Sequence, residues 1–399
     1  MLASLTLALL ATSGGDPQDF VVSAGETVFY DTTSGPLLVR DLVIEEGGTL
    51  RVQGPNAFFV RARRQVVVDG VLDLSGFDAK DVATLNTGNQ LELGGAGGPG
   101  GGTGGSASTI LTDSTPAGSA GSDDAAAALG GGGGESGFAP QTLGDEARRP
   151  AGGGGGALAL DQPESDDPSD PDNDGLVAEP GVDGDAQASG AQTSLPPAKG
   201  GAAGTPVFVD GDPSNDFFGT RLDENGDLVL GELSRPLGGR GGGGGGDALP
   251  SSVFPTPNWT PASDEKGGGG GGGGGLGIVF TRELKVGALG QIKADGGQGA
   301  RGENTLFLNS IGGNGGGGSG GYLVLQALTI DLSEASDSAL RAVGGLGGVD
   351  AGGTLDGDGG NGGPGVIQLH TPGGAGIVLP AGQTLADVSR PDAWSLLFR

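Results

Sequence analysis

Long runs of glycine constrain this chain more than any other feature. Nine consecutive glycines occupy residues 267–275 and six occupy residues 241–246, and glycine makes up 92 of the 399 residues. Ordering a residue costs about 1–2 kcal/mol of backbone entropy, and glycine buries no side chain in return. Two outcomes are open. The tracts are either flexible linkers or extended helices of three residues per turn, geometrically like polyproline II, that hydrogen-bond side by side.

The shorter glycine tracts are phased in triplets. Residues 94–99 read GGAGGP and residues 359–364 read GGNGGP. Collagen is excluded, because it requires a single glycine at every third position and far more proline than the 24 residues present. Packed helices tolerate almost no side chains between them, so the number and phasing of the glycines favour packing over linkers.

Outside the glycine tracts, short β-branched segments alternate with period two. Residues 38–44 (LVRDLVI) and 66–74 (VVVDGVLDL) repeat at about 22 to 24 residues, and the rhythm returns at residues 284–294 (LKVGALGQIKA). One such rung cannot bury its apolar face alone, whereas stacked rungs share a continuous core. The sequence therefore predicts a mostly β fold: a short right-handed parallel β-solenoid with acidic and glycine-rich, polyglycine-II-like insertions. A β-sandwich with long loops is the alternative architecture.

These patterns divide the chain into four predicted parts. Residues 1–15 form a signal peptide and residues 16–77 form the first solenoid rungs. Residues 78–266 form an acidic glycine-rich insertion, and residues 267–399 form further rungs and a cap. The cap is expected at Trp394 to Arg399.

The net charge of −29 excludes some partners and favours others. Residues 78–266 carry 29 of the 49 acidic residues and only 8 basic ones. Such a surface repels nucleic acid, so no nucleic-acid partner is expected. It is suited to divalent cations, although the acids could serve solubility alone. The absence of cysteine and the single histidine exclude disulfides, thiolate sites and multi-histidine metal sites.

The first residues read MLASLTLALLATSGG. An apolar run followed by small residues resembles a secretory signal, although no Lys or Arg precedes it. The run is too short to span a bilayer, and no other segment is longer, so no transmembrane segment is predicted. The expected location is extracellular or at the cell surface. A buried first strand is the alternative interpretation of this run.

The strongest local motif is DPDNDG at residues 170–175. Aspartates at alternate positions followed by glycine match the opening of a calcium loop, so Asp170, Asp172 and Asp174 are the predicted Ca²⁺ ligands. The twelfth position of such a loop is Gly181 rather than Glu, and a solvated acidic linker is the alternative. Residues 223–227 (DENGD) are a weaker second candidate, because a β-turn explains them equally well.

Catalytic residues are not assigned. A Ser–His–Asp triad would need His370, which is predicted to be an outward-facing strand residue. Asp69 and Asp73 could in principle act as paired carboxylates on a polysaccharide, but they are equally typical of turns and sheet edges. An enzyme is therefore the less favoured class.

Three phrases carry a resemblance to known proteins: residues 47–62 (GGTLRVQGPNAFFVRA), 71–88 (VLDLSGFDAKDVATLNTG) and 312–327 (GGNGGGGSGGYLVLQA). The chain resembles uncharacterised, exported, glycine-rich, β-helix-like surface proteins of environmental bacteria. In its strand rhythm it is also similar, more loosely, to β-helical adhesins. The first resemblance implies no known activity. The second implies a role at the cell surface and supplies no functional residues.

The leading functional prediction is an exported, non-catalytic structural or adhesive protein. Its expected partners are cell-envelope components or extracellular polysaccharide, and the sequence leaves its oligomeric state open. Three alternatives remain: a calcium-dependent extracellular binding module, a polysaccharide-active β-helix enzyme, and an ice- or surface-binding protein made of packed glycine helices.

Overall fold

The computed structural model describes residues 17–80, 93–106, 152–159, 200–208, 210, 212–223, 225–246, 267–302, 312–349 and 357–397. The predicted signal peptide, residues 1–15, lies outside this part of the chain. The described fold is mostly β, with one short helix, α1 (Leu385–Val388), and single 3-10 turns at Thr32–Ser34, Pro213–Asn215 and Pro372–Gly374. The strands in chain order are β1 (Phe20–Val22), β2 (Thr27–Asp31), β3 (Leu37–Ile44), β4 (Thr49–Gln53), β5 (Phe58–Val68), β6 (Val71–Asp73), β7 (Thr220–Leu222), β8 (Leu228–Leu230), β9 (Leu276–Phe280), β10 (Glu283–Val286), β11 (Gln291–Lys293), β12 (Tyr322–Gln326), β13 (Thr329–Asp331), β14 (Leu340–Arg341), β15 (Val366–Thr371), β16 (Ile377–Val378), β17 (Ser389–Arg390) and β18 (Trp394–Leu397).

The described strands form two parallel sheets and one antiparallel hairpin. The ten-stranded sheet has the order β16-β13-β10-β5-β9-β12-β15-β18, and β3 and then β1 continue from β5. The six-stranded sheet has the order β17-β14-β11-β6-β4-β2, and β7 pairs with β8 in the hairpin. The last strand, β18, pairs with β15 at one edge of the ten-stranded sheet, which is where the predicted cap residues lie.

The main core lies between the two parallel sheets. Period-two alternation sends every second side chain inward. In β4, for example, Leu50 and Val52 are fully buried, while the other three residues of the strand are half-buried. Buried residues of both sheets join in one cluster that includes Val22, Leu50 and Leu284. Burial of this shared apolar surface stabilises the pair of sheets.

Strand β12 is buried on both faces. Leu323 and Leu325 belong to the main core, whereas Tyr322 and Val324 belong to a second cluster on the opposite face of the ten-stranded sheet. A sheet that is covered on both faces has continuously apolar strands, and all five residues of β12 are buried.

The predicted right-handed β-solenoid is wrong. A solenoid is one stack in which each repeat contacts only its neighbours, whereas the described strands form several sheets, one of them a curled half-barrel. The 22-residue interval holds only early in the chain, where Thr27 pairs with Thr49 and Thr49 with Val71. The next partner of β5 is β9, with Phe58 opposite Gly277. The glycine tracts account for much of the intervening sequence, and a repeat length alone could not predict where the chain returns.

The described glycine tracts pack side by side as one body, which we call the glycine bundle. A tract in this bundle bonds to a given neighbour at every third residue: Gly313, Gly316 and Ser319 donate to the carbonyls of Gly246, Gly243 and Arg240. A three-residue repeat is that of an extended helix with three residues per turn. The bundle comprises residues 94–106, 152–159, 200–208, 238–246, 267–275, 296–302, 312–321, 343–349 and 357–365.

Residues 312–321 run through the centre of the glycine bundle and contact six neighbouring tracts. Three successive residues direct their N–H groups to three tracts and accept from three others at 2.8–2.9 Å. Gly316 donates to Gly243 and accepts from Gly271, Gly317 donates to Gly360 and accepts from Gly156, and Gly318 donates to Gly297 and accepts from Gly345. Both polar groups of each peptide unit are thereby satisfied inside the protein, as buried backbone requires.

Glycine is required at the centre by steric contact. A Cβ added at Gly316 would lie 2.1 Å from the carbonyl oxygen of Gly154, and one at Gly317 would lie 1.9 Å from that of Gly345. In the outer tracts, side chains that face solvent recur three residues apart, as with Leu346 and Val349, which are 44% and 59% exposed. Of the triplet-phased positions in residues 94–99 and 359–364, Ala96 faces solvent in the same way, whereas Pro99 and Pro364 are buried.

The description of His370 as an outward-facing residue is also wrong. His370 lies in β15 and is only 6% exposed. Its Nδ1 is 3.3 Å from the carbonyl oxygen of Leu397, and a Cβ added at Gly219 would lie 3.4 Å from its Cε1. Burial lowers the pKa of His370, and the Leu397 carbonyl only partly offsets this effect, so the ring is neutral at neutral pH.

A search of the described part of the chain for membrane-spanning helices found none of sufficient length and apolar character.

A glycine-to-alanine substitution tests the packing of the glycine bundle. Gly316→Ala places a methyl group against backbone, and we expect it to lower the free energy of unfolding by at least about 3 kcal/mol, the upper part of the range for overpacking. Gln298→Ala introduces the same residue at an exposed position of an outer tract and should change stability by less than about 0.5 kcal/mol. Chemical denaturation measures both. Equal stability of the two variants would contradict the six-neighbour packing.

Candidate functional site

A cleft of about 770 Å³ opens where the six-stranded sheet meets the glycine bundle. Strands β4, β6, β11 and β14 place Arg51, Asp73, Lys293 and Arg341 side by side in register across the sheet. Residues 75–78 and the outer tracts 296–302 and 343–349 form the remaining walls. We call this region the charged cleft.

Asp73 lies between two cations in the charged cleft. Its Oδ1 is 2.7 Å from Nη1 of Arg51, and its Oδ2 is 3.5 Å from Nζ of Lys293. Burial acts to raise the pKa of Asp73, but Arg51, then Lys293, and the Ser75 N–H together hold it below its ordinary value. Asp73 is therefore ionised at neutral pH.

Asp295 is another carboxylate of the charged cleft, and its environment raises its pKa rather than lowering it. Burial raises the pKa of Asp295, although Arg341, whose Nε lies 3.2 Å from Oδ2, and the Val343 N–H partly compensate. The negative charge of Asp73 adds to the increase. The two acids are linked through Ser75, whose N–H donates to Asp73 and whose hydroxyl accepts from the Asp295 N–H at 3.1 Å.

An aromatic ring completes the wall of the charged cleft. Phe77 is half-buried, and the guanidinium of Arg51 lies 4.2 Å from the centre of its ring. This contact fixes Arg51 from one side while Asp73 fixes it from the other. The site is therefore held in place by its own contacts and presents donors, acceptors and an apolar surface together.

Carboxylates also converge at Asp210, Asp216 and Glu232, where one oxygen of each lies within 4.8 Å of the others. Among the described residues, these are the ones that could hold a metal ion. The predicted ligands Asp170, Asp172 and Asp174 lie outside the described residues, and calcium binding there stays a prediction.

The weaker candidate, residues 223–227, falls between β7 and β8, and its described residues 223 and 225–227 lie in a turn. Asp223 accepts hydrogen bonds from the backbone N–H groups of Asn225 and Asp227 at 2.9 and 2.8 Å, and Gly226 has the positive φ of 84° that the turn needs. The turn accounts for the conformation of these described residues.

Of the carboxylates at these two places, only Asp73 was considered from the sequence, as a residue equally typical of a turn or sheet edge. Asp295, Asp210, Asp216 and Glu232 were not predicted. For Asp73 a signal existed: Arg51 lies one 22-residue interval before it, so parallel pairing would place the two side chains next to each other. Lys293 and Asp295 reach the cleft only because β11 pairs with β6, which no local pattern indicates.

Comparisons of the chain with protein-family models, with curated proteins and with solved structures found no match.

Asp73 and Asp295 in the charged cleft should respond differently when their charge is removed. Asp73→Asn should lower the free energy of unfolding at neutral pH by about 2 kcal/mol, the range for hydrogen bonds to charged groups. Because the folded-state pKa of Asp73 is lowered, this contribution is present above the unfolded pKa near 3.9 and is lost as pH falls through the folded value.

Asp295→Asn should leave the stability at neutral pH unchanged or higher. The folded-state pKa of Asp295 is raised, so its favourable contribution is complete below the unfolded pKa and is lost as pH rises through the folded value. Thermal melts of wild type and both variants from pH 3 to pH 8 measure these effects. A similar loss of stability in both variants at pH 7 would contradict the assignment.

Proposed function

We propose that this protein is an exported, non-catalytic adhesive module that binds extracellular polysaccharide in the charged cleft. The observation that carries the proposal is the cleft itself. It offers Arg51, Lys293 and Arg341 beside Asp73 and Asp295, with the ring of Phe77 next to them. A sugar chain presents hydroxyl groups that both donate and accept hydrogen bonds, together with apolar ring faces, and this mixture complements such a surface.

The balance of charge supports a polysaccharide over other polymers. The whole chain carries a net charge of −29, which opposes the approach of a nucleic acid or another dense polyanion. Within the cleft, however, the three cations face Asp73, Asp78 and Asp295. A neutral or weakly acidic sugar chain can enter such a balanced cleft without large electrostatic cost.

The rigidity of the cleft supports binding as its role. Its charged residues stand on strands that pair in register, and its walls belong to tracts that hydrogen-bond through the glycine bundle. A preorganised site avoids the entropy of ordering side chains when the ligand binds. The glycine bundle is, in this proposal, the support on which the cleft is built.

One observation favours a second function, hydrolysis of the bound polysaccharide. Asp73 and Asp295 share the cleft, and the pKa is lowered for the former and raised for the latter. A pair of carboxylates with separated pKa values is the arrangement that glycoside hydrolysis uses. Asp295 would protonate the departing sugar oxygen, and ionised Asp73 would act as base or nucleophile.

Binding to a panel of soluble acidic and neutral polysaccharides tests the proposal. We expect at least one to bind the full chain, and Lys293→Gln to weaken it about tenfold, because a hydrogen bond to a charged group is worth about 1.5–3 kcal/mol. Arg282→Gln removes a cation outside the charged cleft and serves as the matched control, which should bind like wild type.

The outcomes separate the candidates. Absence of binding across the panel, or equal weakening by Lys293→Gln and Arg282→Gln, would overturn the charged cleft as the binding site. Release of new reducing ends by wild type, lost in Asp295→Asn while binding persists, would replace the adhesive role with the hydrolytic one.

A further inference from the structure

The convergence of Asp210, Asp216 and Glu232 is built by backbone pairing on the far side of the ten-stranded sheet. The N–H of Glu232 donates to the carbonyl of Asn215 at 2.9 Å, so the start of one segment lies beside the end of the other. Asn215 also donates from its side-chain Nδ2 to Asp210 at 3.0 Å. Three acids that are separated in sequence therefore meet at one point, which we call the acidic cluster.

Asp216 shows that the acidic cluster is more than a group of surface acids. The residue is 7% exposed, and its Oδ1 is fully enclosed with no hydrogen-bond donor within reach. A buried carboxylate without a donor or a cation is costly. One carboxylate oxygen of Asp216 also lies within 4.8 Å of an oxygen of Asp210 and of Glu232.

The electrostatics of Asp216 agree with its geometry. Burial raises the pKa of Asp216 to about 7, and the negative charges of Glu232, Asp210 and Asp212 add to the increase. Every electrostatic cause thus disfavours the ionised form in the protein alone. A bound cation would reverse this balance.

The nearby Arg221 is engaged away from the acidic cluster. Its Nε and Nη2 donate to the carbonyl of Ser214 at 3.2 and 2.9 Å. Its guanidinium lies 5.8 Å from the ring centre of Phe217 and 5.5 Å from that of Trp394. These contacts orient the arginine along the aromatic side chains, and Arg221 is not among the charges that shift the pKa of Asp216, which are those of Glu232, Asp210 and Asp212.

We infer that Asp210, Asp216 and Glu232 bind a divalent cation, and that the ion is calcium. The donors are carboxylate oxygens, which hard cations prefer, and the enclosed Oδ1 of Asn215 is a further oxygen without a donor. Calcium accepts six to eight oxygens in flexible geometry, whereas magnesium demands a near-ideal octahedron. This site is separate from the charged cleft and does not depend on its role.

Calcium at the acidic cluster would hold residues 210–233 against the ten-stranded sheet. Directly after Asp216, Phe217 packs against Trp394 with ring centres 5.3 Å apart. The next carbonyl, that of Phe218, accepts a hydrogen bond from Gln368 at 2.8 Å. The cation would therefore fix the segment that covers the second apolar cluster.

Isothermal titration of the full chain with CaCl₂, after treatment with chelator, tests the site. We expect Asp216→Asn to weaken calcium binding at least about tenfold, which corresponds to about 1.4 kcal/mol. Asp227→Asn alters a carboxylate in the nearby hairpin turn and is the matched control. Asp172→Asn tests the loop predicted from the sequence. Both variants should retain the calcium binding that Asp216→Asn weakens.

Thermal melts distinguish a cation ligand from a merely structural residue. Calcium should raise the Tm of wild type and leave that of Asp216→Asn unchanged. In chelator, Asp216→Asn should be at least as stable as wild type, because a neutral amide replaces a buried, unbalanced charge. In a Trp259→Phe background, the fluorescence of Trp394 should respond to calcium only while Asp216 is intact.

Three results would overturn the inference. These are the absence of calcium binding at millimolar concentration, tighter binding of MgCl₂ than of CaCl₂, and calcium binding that persists in Asp216→Asn but is lost in Asp172→Asn.

Discussion

The hydrogen bond between neighbouring glycine tracts is the interaction on which the rest of this structure depends. Each bond contributes only about 0.5–1.5 kcal/mol net, while ordering each glycine costs about 1–2 kcal/mol. A single pair of tracts therefore could not persist alone. Residues 313–319 are ordered despite this cost because six neighbouring tracts pair in turn with all of their N–H and carbonyl groups. Such a body is cooperative, since each tract is ordered only when the tracts around it are ordered.

The glycine bundle also determines where functional side chains can stand. Inside it, a Cβ would meet backbone at about 2 Å, so chemistry is confined to the outermost positions and to the ends of tracts. Gln298 and Leu346, which line the charged cleft, occupy outward-facing positions of their tracts. Asp295, which also lines it, directly precedes a tract. At the other side, Leu158 and Phe208 end their tracts in the second apolar cluster, beneath the segment that carries the acidic cluster.

Local features of the fold could be predicted from the sequence, and long-range ones could not. The period-two segments at residues 38–44 and 66–74 correspond to β3 and to the end of β5 with β6, because side-chain alternation is a local property. The solenoid prediction failed where the chain leaves β6 and returns at β9. The same limit applies to the sites. Arg51 and Asp73 are one interval apart, whereas Asp216 and Glu232 meet only through the pairing of residues 215–219 with 231–233.

The acidic residues do not all serve solubility. Asp31 and Asp331 accept hydrogen bonds from the hydroxyl groups and then from the N–H groups of Thr33 and Ser333, which lowers the pKa of each acid and closes its turn. Asp41 and Asp73 pair with arginines across neighbouring strands. Each of these carboxylates has a donor that explains its position. Asp216 is buried as deeply as the core, and the charges that shift its pKa are those of Glu232, Asp210 and Asp212. An acid placed for solubility would lie where water can reach it, so solubility does not explain why Asp216 is buried beside two other carboxylates, whereas the proposed cation does.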